Sequence, residues 1–92
     1  MSDKIRDAVA QHRFELEQDG HLALVHYRLA PGLITFTHTE VPAEFAGRGV
    51  GSRLIAGALA EARRRGLKVV ADCSFVRGYI KRHAEYSELL NE

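Results

Sequence analysis

His38 and Cys73, the chain's one cysteine, are the residues of this 92-residue sequence best suited to chemistry. In residues 33–41 (LITFTHTEV), alternation puts Ile34, Phe36, His38 and Glu40 on one face, so an apolar face opens into two titratable groups. In residues 67–73 (LKVVADC), Leu67, Val69, Ala71 and Cys73 share a face, and the thiol closes the segment. An imidazole that is neutral near pH 7 serves as a general base. A thiol beside such a base serves as a nucleophile. The plainer readings are a histidine that satisfies a hydrogen bond and a small residue buried at a strand end. His38, Cys73 and His83 lack the short spacing of a metal-ligand set, so no metal is expected.

Between the two lies a glycine-rich stretch, residues 46–52 (AGRGVGS), with Gly47, Gly49 and Gly51. The first turn of a helix leaves backbone N–H groups unpaired and carries roughly half a positive charge, which makes an anion site. Glycine lets a backbone approach an anion closely. Ser52 adds a hydroxyl, and Arg48 and Arg53 add charge. The same glycines also suit a tight loop and close packing of helix on sheet. The P-loop pattern is absent, because Ser52 and Arg53 follow Gly51 where that pattern requires lysine. The dinucleotide pattern is half met: Leu54 stands at the third glycine position, and seven residues separate Val41 from Gly49. NAD is not expected.

The elements that position these residues follow from periodicity. Residues 13–18 (RFELEQ) alternate as a half-buried strand, and Asp19-Gly20 suits the positive φ of a hairpin turn. Residues 21–29 and 33–41 form two further strands around the Pro31-Gly32 turn, giving an antiparallel meander. From about residue 50 to 65, Gly51, Leu54, Ile55, Ala58, Leu59 and Ala62 recur at helical spacing, with Gly66 just past the end. Residues 67–73 form a fourth strand. Residues 75–90 read as a helix with Phe75, Tyr79 and Ile80 in one apolar stripe. Residues 1–12 read as a short helix or an irregular extension of the first strand. Strand, helix, strand makes a βαβ unit with parallel strands, and open α/β sheets bind ligands at the carboxyl ends of such strands.

Composition sets the frame. The 92 residues suit one domain over residues 1–92, with 46% apolar and 27% charged residues arguing against disorder. One cysteine excludes an intrachain disulfide, and no run of 18 or more apolar residues exists to span a membrane. A soluble, cytoplasmic chain is expected. The net charge of +1 hides an asymmetry: residues 1–46 carry 4 basic and 7 acidic side chains, residues 47–92 carry 9 and 5. Residues 48–82 hold 9 basic and 2 acidic groups, a local +7 that suits a phosphate-bearing partner or a solvated surface. Nucleic acid is the weaker partner on this count, because aromatic residues are not interleaved with the charge.

Residues 39–54 (TEVPAEFAGRGVGSRL) resemble motif A of the GNAT superfamily of N-acyltransferases. In that family a strand ends in a Val-Pro-like step, and a [RQ]-x-x-G-x-[GA] loop wraps the coenzyme A pyrophosphate at a helix start. Gly49 and Gly51 fall on the family glycines, and Ala46 stands where the family carries Arg or Gln. RFEL, the polar turn, TEVP, the glycine loop, the strand ending in Cys73 and FVRGYIKRHAEY extend the likeness over residues 12–90, to a short stand-alone GNAT-like subgroup.

The resemblance implies a minimal GNAT-like α/β (α+β) fold: an antiparallel β-meander, then a β-α-β unit and a C-terminal helix. It implies an N-acetyltransferase that takes acetyl-coenzyme A as acyl donor and passes the acetyl group to an amine, small or protein-borne. Val41, Gly47, Arg48, Gly49, Val50, Gly51 and Ser52 would line the coenzyme, and His38 and Cys73 would be catalytic. In direct transfer His38 deprotonates the amine; in a covalent route Cys73 first takes the acyl group with His38 activating the thiol. Tyr79 as proton donor to the departing thiolate stands beside a packing role. Arg77, Lys81 and Arg82 as partners of the coenzyme 3′-phosphate stand beside a solvated helix face. His83 and Tyr86 read as structural. The different-class alternative is a non-catalytic module that binds coenzyme A or nucleic acid.

Overall fold

Two tight turns and one bulge organise the sheet. In a computed structural model, which describes residues 5–91, strands β1 (Ile5–Ala8), β2 (Arg13–Gln18), β3 (His21–Ala30) and β4 (Leu33–Glu40) run antiparallel in sequence order, and β5 (Lys68–Ala71) adds parallel to β4. The β2–β3 turn has Asp19 at φ 55° and Gly20 at φ 78°, the left-handed pair that a two-residue hairpin requires. β1 goes beyond the sequence expectation. Residues 5–8 pair with β2 as a fifth strand, and a 3-10 turn at Val9–Gln11 joins the two. Residues 1–4 lie outside the described residues.

Helix α1 (Val50–Arg64) crosses from β4 to β5, as the βαβ pattern requires, and α2 (Ser74–Arg82) follows β5. Both cover one face of the sheet. Phe14, Leu16, Ala23, Val25, Tyr27, Ile34, Phe36 and Val69 point from the strands into a core with Leu54, Ile55, Ala58, Leu59, Val76, Tyr79 and Ile80 from the helices. Each Val, Leu, Ile or Phe side chain among them contributes about 1.5–3 kcal/mol when fully buried. The helices lie side by side: Phe75 reaches the start of α1 at Gly51, and the Arg63 guanidinium lies over the Tyr86 ring 5.1 Å away near its end.

The expected helix over residues 75–90 is divided. α2 stops at Arg82, His83 takes φ −131° and ψ 80°, and Ala84–Leu89 continue as a 3-10 helix. His83 stacks on Tyr79 at 4.0 Å and its Nδ1 lies 2.9 Å from Tyr79 O. The break turns Leu89 into the core and lets Asn91 N donate to Val69 O, so Leu90 bridges Val69 at the outer edge of β5. The stripe is also shifted: Val76, Tyr79 and Ile80 are buried, whereas Phe75 is 38% exposed.

Candidate active site

Pairing between β4 and β5 ends at Phe36 and Ala71, and Asp72 N donates once more to Phe36 O. β4 continues to Glu40 while the chain beyond β5 turns into α2, so the ladder has a gap between residues 37–40 and 72–74. Into this gap β4 brings a bulge. His38 pairs with His26 and Phe36 with Tyr27, so the register skips Thr37. A bulge re-aims every side chain beyond it. The expected alternation of Ile34, Phe36, His38 and Glu40 on one face is therefore wrong beyond Phe36.

The consequence is a division of the two candidate catalytic residues. Thr39, paired with the fully buried Val25, faces the helices, and its Oγ1 lies 3.0 Å from Cys73 Sγ. Cys73 is 8% exposed and stands at the N-cap position of α2 without a side-chain bond to the helix. His38 instead faces the other side of the sheet, stacked on His26 with ring centroids 6.1 Å apart and Nε2 3.3 Å from Glu40 Oε2. Thr39, and not His38, is the hydrogen-bond partner of the thiol. A thiol activated by His38 is not the arrangement found. Thr39 escaped the sequence reading because a bulge leaves no mark on an alternating run such as TFTHTE.

The glycine loop sits at the same end of the sheet. Ala43–Phe45 form a 3-10 turn with Phe45 buried, and Gly47 (φ 75°) and Gly49 (φ 71°) adopt left-handed conformations. Gly49 is the N-cap of α1 and supplies no side chain to it; the first intrahelical bond runs from Arg53 N to Gly49 O. The amides of Val50, Gly51 and Ser52 precede that bond and have no carbonyl one turn back. Gly51 answers to packing: a Cβ there would lie 2.6 Å from Phe75 Cζ and 3.1 Å from Val41 Cγ2. The Val50 side chain is buried in the core, so its backbone alone faces the loop; Ser52 is half-buried.

The two arginines that flank the glycines are engaged. Arg48 Nη2 donates to Asp19 Oδ2 at 2.7 Å, and Arg53 donates to Gln18 Oε1 at 2.7 Å and to Arg48 O at 3.0 Å. Arg77, expected near a 3′-phosphate, donates to Ala71 O at 2.9 Å. Arg63, Arg64, Arg65 and Lys68 donate to oxygens of residues 85–88, Glu61 or Asp7. Among the described residues, Lys81 and Arg82 are the two of nine cations in the local +7 segment not so engaged. Arg48, Arg63, Arg64 and Arg65 of this run pair with carboxylates, which weakens the argument for a nucleic-acid surface. Tyr79 is 5% exposed and sandwiched with His83 and Tyr86, and burial pushes its hydroxyl up, so its place is in the core.

A family model for GCN5-related N-acetyltransferases matches residues 13–89, from the first residue of β2 to the last of the 3-10 helix. The chain belongs to that family. A GCN5-like protein from Staphylococcus aureus, known from a solution structure, is 28% identical, with a TM-score of 0.75 over 96% of this chain and 87% of that one. The GNAT-like mixed α+β architecture is thus established, five strands in order with the glycine loop at the crossover. No curated protein matches the sequence. Among the described residues no helix is long and apolar enough to cross a membrane, and no group of three or more His, Cys, Asp or Glu could hold a metal ion.

Proposed function

We propose that this N-acetyltransferase-family chain binds acetyl-coenzyme A at the start of α1 and transfers the acetyl group to an amine that enters from the opposite face of the sheet. One observation carries the reading: the uncapped first turn of α1 adjoins the gap where β4 and β5 part. The amides of Val50, Gly51 and Ser52 would receive the pyrophosphate, with Gly47 and Gly49 shaping the loop and Val41 lining the path toward the gap. The coenzyme supplies an activated thioester. Ala46 in place of the family Arg or Gln leaves that recognition to the backbone and to the loop's own position.

Direct transfer suits the two-sided geometry. His38 takes the proton of the acceptor amine as the amine nitrogen bonds to the acyl carbon, and the thioester C–S bond breaks to release the coenzyme as its thiolate, which then takes up a proton from solvent. Glu40, 3.3 Å from His38 Nε2, offsets the charge of the imidazolium that forms. Cys73 and Thr39 form the wall of the gap on the helix side. On this reading His38→Ala lowers kcat by about 100-fold, whereas Cys73→Ala keeps activity within a few-fold. An acetylated Cys73 seen by mass spectrometry, with activity abolished in Cys73→Ala, would overturn direct transfer. Binding is checked separately: coenzyme A raises the Tm and moves the amide signals of residues 47–53. No shift at millimolar coenzyme would remove the whole reading.

A further inference from the structure

Among the described residues, the loop between β4 and α1 has only local backbone bonds of its own: Phe45 N to Pro42 O, Ala46 N to Ala43 O and Arg48 N to Phe45 O. Two left-handed glycines leave it conformationally loose. Its polar contacts with the sheet converge on one place, the β2–β3 turn. Asp19 receives Arg48, Gln18 receives Arg53, and His21 lies against Glu44 (4.0 Å) and edge-on to the Phe45 ring (5.9 Å). That turn is itself stiff, a two-residue hairpin in its preferred left-handed pair. Arg53 completes the clamp by holding Arg48 O as well as Gln18. A trans peptide sets its C=O and N–H in opposite directions, so pinning Arg48 O also fixes the direction of the Gly49 N–H, the last amide before the helix.

We infer that Gln18 and Asp19 are positioning residues for the coenzyme: through Arg53 and Arg48 they hold the glycine loop in its binding geometry. Arg48 then acts through its place in the loop and not as a direct ligand of phosphate. The inference rests on the coenzyme reading above for its effect on affinity, but the effect on loop order stands on the free protein alone.

Two substitutions at position 19 separate the clamp from the turn. Asp19→Gly removes the carboxylate at a site where glycine tolerates the positive φ, and Asp19→Asn keeps an oxygen acceptor in the same turn. In the free full chain, 15N order parameters of residues 46–49 fall in Asp19→Gly and return in Asp19→Asn. The Kd for coenzyme A rises about fivefold in Asp19→Gly, the worth of an exposed ion pair, with Tm and kcat close to wild type. Gln18→Ala behaves the same way. Unchanged order parameters overturn the inference. So does tighter coenzyme binding in Asp19→Gly, which would mean that Asp19 withholds Arg48 from the phosphates. If wild-type protein does not bind coenzyme A, the functional reading fails while the order parameters still decide the clamp.

Discussion

Gly51 shows how one missing methyl group joins two functions. Helix α1 needs glycine there because Phe75 and Val41 close on it, and those residues meet beside the amides proposed to hold the pyrophosphate. Gly51→Ala forces the partly exposed Phe75 ring aside and costs about 1–2 kcal/mol. In the double variant with Phe75→Ala the two losses are less than additive, by about 0.5–1 kcal/mol in chemical denaturation. Strict additivity would show that the ring does not meet the new methyl. The glycines were legible in the sequence as a group, but not their separate reasons: Gly47 and Gly49 serve positive φ, Gly51 serves contact. Phe75 was legible as an aromatic at helical spacing. Its partner across space was not, because helix α1 and β4 bring it there. Glu15 was misjudged in the same way. In an alternating half-buried strand its place opposite Phe14 and Leu16 is the solvent face, yet it is 4% exposed, since Arg6 from the unforeseen β1 and Arg13 close over it.

At the scale of elements, periodicity located β2, β3, β4 and α1 to within a residue or two, and the parallel pairing of β4 with β5 followed from chain direction alone. Two features lay beyond it. The bulge at Thr37 depends on a register shift against β3, and the break at His83 depends on the chain turning back to bridge Val69; both are long-range. A third long-range link holds the outer strand. Tyr27 on β3 donates to Asp7 on β1 at 2.5 Å, and Arg65 beyond α1 donates to the other oxygen of Asp7 at 2.7 Å. Tyr27→Phe keeps the ring in the core and leaves Asp7 with one partner fewer. It lowers unfolding free energy by about 1 kcal/mol in urea titration. No change would mean that the hydroxyl contributes nothing to the docking of β1.

Across the whole molecule, a few carboxylates held by arginines, with one buried tyrosine, set the response to pH. Arg64 and Arg65 hydrogen bonds hold the Glu61 carboxyl down to about 2, and the Arg6 hydrogen bond holds Glu15 below the usual carboxylate value. Depressed carboxyls stabilise the fold above their ordinary value of 4.5 and lose that contribution as pH falls through the folded value. Burial, with the Asp7 hydrogen bond, pushes Tyr27 up from 10.0 to about 12, so its contribution is complete below pH 10 and lost as pH rises through 12. The Tm, followed by circular dichroism, is expected to be level from about pH 5 to 10 and to fall on both sides. A Tm that rises below pH 4 would contradict these pairings. The outer border of β5 has a different bearing, on the company the protein keeps. Its outward carbonyls are taken, Val69 O by the Asn91 amide and Ala71 O by the Arg77 guanidinium. A bare strand at a sheet border is a template on which a neighbouring chain can extend the ladder. Four residues are short enough for one guanidinium and one returning amide to blunt that template, so the sheet closes its own margin against aggregation without a further strand.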